Sequence, residues 1–149
     1  MGLDMYLWKE TYVGDLGTVF EMTAKGATNT LHIDPTQVFA VRERFGHWRK
    51  ANAIHKYFVD YVQDGNDDCG TYEVSREQLE ELYSLVKDTL AHPEQADGLL
   101  PTEAGFFFGG TEYDEYYFEQ LQYTKELLEK ALDLMDKDAR VSFVYTSSW

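Results

Sequence analysis

The positive charge of this chain is concentrated between residues 42 and 56. That segment contains one acid, Glu43, and five of the 13 lysines and arginines of the chain: Arg42, Arg44, Arg49, Lys50 and Lys56. Guanidinium and ammonium groups bind phosphate and carboxylate groups. The segment therefore predicts a pocket for an anionic group, with Arg49 and Lys50 as donors. A solvated basic face that balances acidic neighbours is the alternative.

His55 is the one candidate for a catalytic residue. A histidine titrates close to neutral pH, so one that lines a cavity can act as a general acid or base. In the sequence, His55 falls on an apolar stripe with Trp48 and Phe58. A lone histidine in such a stripe is more often a hydrogen-bonded core residue. The sequence leaves both interpretations open.

A second unusual segment, GFFFGGTEYDEYYF at residues 105–118, is half aromatic, whereas the whole chain is 15% aromatic. Residues 106–108 are predicted to be extended, so that the middle phenylalanine points away from the other two. Most of the remaining rings can belong to the core face of a following helix. The rings left to contact a ligand are Phe107, Tyr113 and Tyr116.

Together the two segments predict one ligand site. Aromatic rings stack on a planar base while guanidinium and ammonium groups hold a phosphate, so the expected ligand is a small, nucleotide-like anion. Gly109 and Gly110 precede a predicted helix N-terminus, where backbone N–H groups also attract anions. The predicted ligand-binding residues are Trp48, Arg49, Lys50, Asn52, His55, Phe107, Tyr113 and Tyr116.

Familiar nucleotide, metal and hydrolase signatures are missing from the sequence, which has no GxxxxGK[ST], GxGxxG, HExxH or GxSxG. The run DGNDDCG at residues 64–70 could begin an EF-hand loop only with Gly at position 69 and Glu at position 75. Those positions hold Cys69 and Ser75, so a polar turn is predicted. Cys69 is also the single cysteine, which excludes a multi-cysteine metal site. We expect no metal and no cofactor.

The net charge of −14, from 27 acids against 13 bases, limits the class of partner. Such a charge repels nucleic acid, so direct nucleic-acid binding is not expected. A basic protein partner suits it better, which makes an acidic interaction inhibitor or DNA mimic the alternative to ligand binding. A small hydrolase or transferase that uses His55 with a carboxylate is the third hypothesis. No catalytic motif decides whether the chain is an enzyme.

Strands are predicted near both ends of the chain. Apolar residues alternate at residues 3–8 and 141–145, which is typical of strands. Weaker patterns predict strands at residues 18–23 and 31–33 and a short extended piece at residues 71–74. Residues 38–45 fit either an edge strand or a helix.

Three helices are predicted between the end strands. The first follows the stripe from Trp48 to Val62, the second opens with a capping box of Ser75 and Gln78, and the third opens at Thr111. The third helix extends to about residue 136. This order predicts a single α+β domain over residues 1–149, with about three helices packed on one face of a mainly antiparallel sheet.

No run of apolar residues approaches the 18 that a membrane span needs, and the first residues lack the pattern of a signal peptide. We therefore expect a cytoplasmic protein with no membrane partner.

Four stretches resemble a family of small bacteriophage and prophage proteins. They are MGLDMYL at the start, WRKANAIHKYFVD at residues 48–60, DDC at 67–69 and LPTEAGFFFGGTEYDEYYFEQL at 100–121. The resemblance implies phage origin, a cytoplasmic location in an infected or lysogenic bacterium, and an accessory rather than a virion role. In that setting, the ligand-binding hypothesis includes sequestering a host signalling nucleotide and so countering host defence. Some members carry a glycolytic-kinase name, but this chain is far too short for that enzyme. The resemblance implies no catalytic residue.

Overall fold

The computed structural model describes residues 2–14 and 32–149. In this part of the chain, four strands form one antiparallel sheet in the order β2-β1-β4-β3. The strands are β1 (Asp4–Tyr12), β2 (Ala40–Arg49), β3 (Thr71–Val74) and β4 (Val141–Ser148). The helices are α1 (Asn52–Tyr61), α2 (Arg76–Ala91), α3 (Ala96–Leu99) and α4 (Glu115–Lys137), with 3₁₀ turns at Pro35–Gln37 and Pro93–Gln95. The predicted α+β class is confirmed.

One face of the sheet carries the core. In β1, Met5 and Leu7 are fully buried, whereas the alternate residues Asp4, Tyr6 and Trp8 are partly exposed. This is the pattern of a strand with one solvated face. The helices pack on the buried face, and the helical residues of the shared core include Ile54, Phe58, Leu79, Leu82, Leu121 and Leu128.

Residues 40–45 belong to a strand rather than a helix, because β2 begins at Ala40, and residues 38 and 39 precede it. The predicted start of the first helix at Trp48 is wrong, since β2 continues to Arg49 and α1 begins at Asn52. Trp48 pairs with Met5 in the β1–β2 ladder, and its ring lies 6.0 Å from that of Phe58. The end of β2 and the start of α1 bury residues in the same core. Their apolar residues therefore have the spacing of a single helical stripe in the sequence.

The other weak strand predictions meet different outcomes. Residues 18–23 lie outside the described residues, as does Leu31, while His32 and Ile33 form no strand. Residues 71–74 do form a strand, β3, which pairs with β4 at the other end of the sheet.

Side-chain caps set the starts of α2 and α4. The predicted capping box of α2 is confirmed, because the Ser75 hydroxyl accepts from the Gln78 N–H and the Gln78 side chain accepts from the Ser75 N–H. The predicted start of α4 at Thr111 is wrong. Asp114 is the N-cap, and its carboxylate accepts from the Tyr117 N–H at 3.0 Å. A carboxylate is favoured there by the helix dipole as well as by the hydrogen bond.

None of the helices within residues 2–14 and 32–149 combines the length and the apolar character that crossing a membrane requires. The longest, α4, carries exposed carboxylates at Glu115, Glu119 and Glu126.

Gly46 allows α4 to approach the sheet closely, because a Cβ at this position would overlap Leu127 Cδ2. We expect Gly46→Ala to lower the free energy of unfolding by about 1–3 kcal/mol through overpacking. Gly98→Ala is the matched control, since a Cβ there meets nothing within 4 Å. Urea unfolding of both variants measures the difference. If Leu127→Ala does not reduce the penalty in a double-mutant cycle, the close approach is not its cause.

Candidate functional site

Asn52, the first residue of α1, holds the loop between α3 and α4 in place. Its side-chain Nδ2 donates to the carbonyls of Phe108, at 3.1 Å, and Gly110, at 2.8 Å. Its Oδ1 accepts from the Glu103 N–H at 3.1 Å. The side chain is buried, and both ends of its amide are occupied by the loop backbone. Asn52 therefore holds in place a loop that lines two cavities. Its own amide group has few hydrogen bonds left to make with a ligand.

The same loop overturns the prediction that residues 106–108 are extended. Phe107 has a φ of 68°, and the Phe108 N–H donates to the Gly105 carbonyl at 3.1 Å, so the segment is a turn. Gly105 permits it, because a Cβ there would lie 2.5 Å from the ring of Phe108. Phe108 is consequently buried, while Phe106 and Phe107 lie together on the surface.

A small cavity of about 50 Å³ lies between the N-termini of α1 and α4. The residues that line it include Lys50, Asn52, Ala53, Ile54, Thr102, Gly110, Glu112, Asp114 and Tyr116. Two helix N-termini contribute positive ends of their dipoles to the same space, which favours negative charge. The cavity is open to solvent on one side.

The N-terminus of α1 has unusual hydrogen bonding. The first N–H groups of a helix have no acceptor within the helix and need one outside it. No side chain caps α1, and the N–H groups of Asn52, Ala53 and Ile54 have no acceptor among the described residues. All three residues are at most 5% exposed. Buried backbone donors are almost always paired, so these three N–H groups are available to water or to another acceptor that enters the cavity.

Lys50 adds a positive charge beside these donors. Its backbone φ of 55° turns the chain from β2 into α1, and its stem packs against Gly109. Its ammonium forms no ion pair within residues 2–14 and 32–149. Asp114 also lines the cavity, but its carboxylate is engaged in capping α4. Glu112 is the second carboxylate in the lining, so the positive groups that the cavity offers a small anion are the three backbone donors and the unpaired Lys50 ammonium.

Comparisons with protein-family models, with curated proteins and with solved structures found no match. Any functional proposal for this protein therefore depends on the groups that line its cavities.

The aromatic residues predicted to contact a ligand do not converge on this cavity. Trp48 is 1% exposed, and its indole N–H donates to the Thr124 hydroxyl at 2.8 Å inside the core. Phe107 lies on the surface of the loop, and the Tyr113 hydroxyl accepts from the Thr102 N–H. Of the four predicted rings, Tyr116 lines the cavity. Its hydroxyl donates to the Arg49 carbonyl, and burial raises the pKa of that hydroxyl.

The basic residues of β2 lie on the solvated face of the sheet, away from the cavity. Each is balanced by a neighbour: Arg42 by Glu10 at 2.8 Å, Arg49 by Asp4 at 2.8 Å, and Arg44 by the Tyr6 ring at 4.7 Å. Hydrogen bonds from His47 and Arg49 lower the pKa of Asp4. For these arginines, the arrangement matches the interpretation of a solvated basic face. Arg49 reaches the cavity region through its carbonyl alone.

His55 is 1% exposed and stands in the middle of a hydrogen-bonded chain. Its Nε2 lies 3.0 Å from Asp67 Oδ2, and its Nδ1 lies 2.7 Å from the Tyr145 hydroxyl. A carboxylate only accepts, so Nε2 carries the proton that it donates to Asp67. Burial raises the pKa of Tyr145 well above its usual range, so its hydroxyl stays protonated and can donate to Nδ1.

This geometry gives His55 a structural role. A general base needs a nitrogen within reach of a substrate, and both ring nitrogens already have partners. Among the three hydrogen-bonded groups Asp67, His55 and Tyr145, Asp67 is the one that reaches solvent, and its side chain is 27% exposed. Asp67 lines a second, larger cleft on the other side of the loop between α3 and α4.

Sequence reasoning missed the partners of His55. Asp67 lies in the run 64–70, for which the sequence predicts only a polar turn, and the alternation of Tyr145 predicts only a core position. The sequence signal for these partners is the polar tip of Tyr145 within an apolar stripe, since a buried hydroxyl needs a partner.

In the described part of the chain, no three His, Cys, Asp or Glu side chains are grouped to hold a metal ion.

Proposed function

We propose that this protein is a binding module for a small anionic ligand, whose charged group enters the cavity between the N-termini of α1 and α4. The observation that carries the proposal is the set of three buried N–H donors at Asn52, Ala53 and Ile54, which have no acceptor in the described part of the chain. An anion at this point would accept from these donors and gain from the Lys50 ammonium.

The size of the cavity limits what it can enclose. A cavity needs about 10–15 Å³ to hold one water molecule, so about 50 Å³ suits a phosphate or carboxylate group better than a nucleobase. For a nucleotide-like ligand, the phosphate would enter the cavity while the base remained outside. The half-exposed ring of Tyr116 offers that base a stacking surface at the cavity wall.

The resemblance to phage proteins suggests the setting in which such binding would be useful. In the cytoplasm of an infected bacterium, a protein of this kind could sequester a signalling nucleotide and so counter host defence. Nucleic acid is a poor partner for the protein because its net charge is −14.

The alternative, an acidic inhibitor or DNA mimic, draws on a different observation. Glu115, Glu119 and Glu126 lie on the solvated side of α4, and none forms an ion pair with a described lysine or arginine. That hypothesis expects a charged surface without an enclosed pocket, so the lined cavity favours ligand binding. An enzymatic role for His55 has less support because both of its nitrogens are occupied.

A backbone NMR titration tests the proposal. Inorganic phosphate, a nucleoside monophosphate and the corresponding nucleoside are added separately to the full chain. The amide signals of Asn52, Ala53 and Ile54 are expected to shift most with both phosphate-bearing probes. Lys50→Gln keeps the stem that packs on Gly109 and is expected to weaken binding about tenfold by removing the charge.

Lys130→Gln is the matched control, because it removes the same charge about two and a half turns along α4 beyond Leu121, the last residue of that helix that lines the cavity. Its binding constant should stay close to that of the unaltered chain. Equal losses in the two variants would mean a general charge effect and no site. A nucleoside that binds as well as its monophosphate, or amides of residues 52–54 that do not move with any anion, would overturn the proposal.

A further inference from the structure

The second cleft differs from the anion cavity because no helix N-terminus is among the described groups that give it charge. It measures about 460 Å³ and lies between α1, the turn that contains Asp67, and the loop between α3 and α4. Its charged lining comprises Asp60, Asp67, Glu103 and Lys56. Three carboxylates against one ammonium leave a net charge of −2 from the acids and the lysine. A cleft with this balance repels anions and favours a cation.

Asp67 is the carboxylate in this cleft whose charge is not balanced. Lys56 lies 2.8 Å from Asp60 and 3.4 Å from Glu103, so those two acids share its ammonium. Asp67 forms no ion pair with a lysine or arginine of the described chain. It accepts instead from His55 Nε2 and from the Trp149 indole N–H, both at 3.0 Å. These donors fix its orientation, and a carboxylate keeps further lone pairs for a ligand.

Aromatic rings form the rest of the wall. Phe106 is 78% exposed and Trp149 is 50% exposed, while Phe108 lies between them and the core. Its ring meets that of Trp149 edge to face at 6.2 Å. Two exposed rings on one wall of a cleft give an apolar surface against which the body of a ligand can pack. A carboxylate between aromatic faces is the combination that recognises ammonium groups.

We propose that the Asp67 cleft binds an organic cation, an amine or alkylated ammonium with an apolar body. The ammonium would pair with Asp67, and the apolar body would lie against Phe106 and Trp149. This site is separate from the anion cavity and does not depend on the function proposed for it. The Asn52-anchored loop lies between the two, and each has its own set of charged groups.

A titration of the full chain with phenethylamine, with its neutral analogue phenethyl alcohol and with phenylacetate tests the proposal. Phenethylamine is expected to shift the NMR signal of the Trp149 indole N–H, with at least about tenfold weaker binding of the alcohol and the anion. The amides of residues 52–54 should not move. Equal binding of amine and alcohol, or no response of Trp149 to the amine, would overturn the proposal.

Two variants locate the site. Asp67→Asn keeps the shape of the side chain and is expected to weaken amine binding about tenfold, whereas Asp97→Asn, on the exposed side of α3, should not. Phe106→Ala removes an exposed ring without disturbing the core and is expected to cost about fivefold. Phe39→Ala, which removes a ring that is 67% exposed near β2, is its control. Unchanged amine binding in Phe106→Ala would contradict the proposed wall even if Asp67→Asn did not fold.

Discussion

Asn52→Asp is expected to lower the free energy of unfolding by about 3–5 kcal/mol at neutral pH, although it hardly changes the shape of the side chain. The asparagine amide donates to two carbonyls, of Phe108 and Gly110, and accepts from the Glu103 N–H. A carboxylate can keep only the last of these bonds. It would also bring a negative charge against two carbonyl oxygens inside the fold, where charge is poorly solvated.

Chemical unfolding of Asn52→Asp beside Asn66→Asp tests this expectation. Asn66 donates one side-chain hydrogen bond to the Gln63 carbonyl in the turn after α1, so its replacement should cost about 1 kcal/mol. Equal losses in the two variants would mean that Asn52 does not anchor the loop. The folded variant should also lose the response of the amides at residues 52–54 to phosphate, because the loop forms part of the cavity wall.

The pH dependence of the same variant provides an independent check. Burial and the facing carbonyls would raise the pKa of the introduced carboxyl above its value in the unfolded chain. A raised folded-state pKa means that the native state binds the proton more tightly, so lowering the pH stabilises the variant. The stability difference between Asn52→Asp and the unaltered chain should therefore narrow as the pH falls. A constant difference across the acid range would show that the carboxyl is solvated.

The fold could be predicted where the signal is local. The alternation around Met5 and Phe143 and the capping box at Ser75 depend on residues within a few positions of one another, and the structure confirms them. The prediction that the first helix begins at Trp48 fails because Trp48 belongs to β2, whereas the apolar residues at helical spacing from it belong to α1. Residues 106–108 misled because the absence of a Cβ at Gly105 allows a turn that alternation does not anticipate.

The candidate sites could be predicted only in part, because their partners are distant in sequence. Asn52 contacts residues 51–58 positions away, and His55 contacts Tyr145 from 90 positions away. A sequence marks such side chains as polar groups in apolar surroundings. It does not distinguish an amide that binds a ligand from one that holds a loop. Lys50 was identified from charge alone, but the three N–H donors beside it depend on where α1 begins.

His55→Ala is expected to destabilise the fold by about 3–4 kcal/mol, the second-largest effect. The substitution removes a fully buried ring and leaves the Tyr145 hydroxyl, which is itself fully buried, without its acceptor. The Tyr145 ring stacks on Phe58 with centres 3.9 Å apart, so the hydroxyl cannot turn to solvent without disturbing the core. His92→Ala, which removes an exposed histidine, should change stability by less than about 0.5 kcal/mol.

A double-mutant cycle separates the hydrogen bond from the packing. Tyr145→Phe alone should cost about 1 kcal/mol, because it leaves His55 Nδ1 unpaired but opens no cavity. Once His55 is alanine, the same change should cost less or stabilise the fold, since the Tyr145 hydroxyl has lost its His55 acceptor and, among the described residues, keeps only the Ser147 hydroxyl as a partner. A coupling energy of this sign assigns His55 to the core, with Asp67 as the group of the chain that meets solvent. If the His55→Ala protein were as stable as the unaltered chain, the fold would not depend on the buried hydrogen bonds of His55. That result would contradict the structural role and support the catalytic hypothesis.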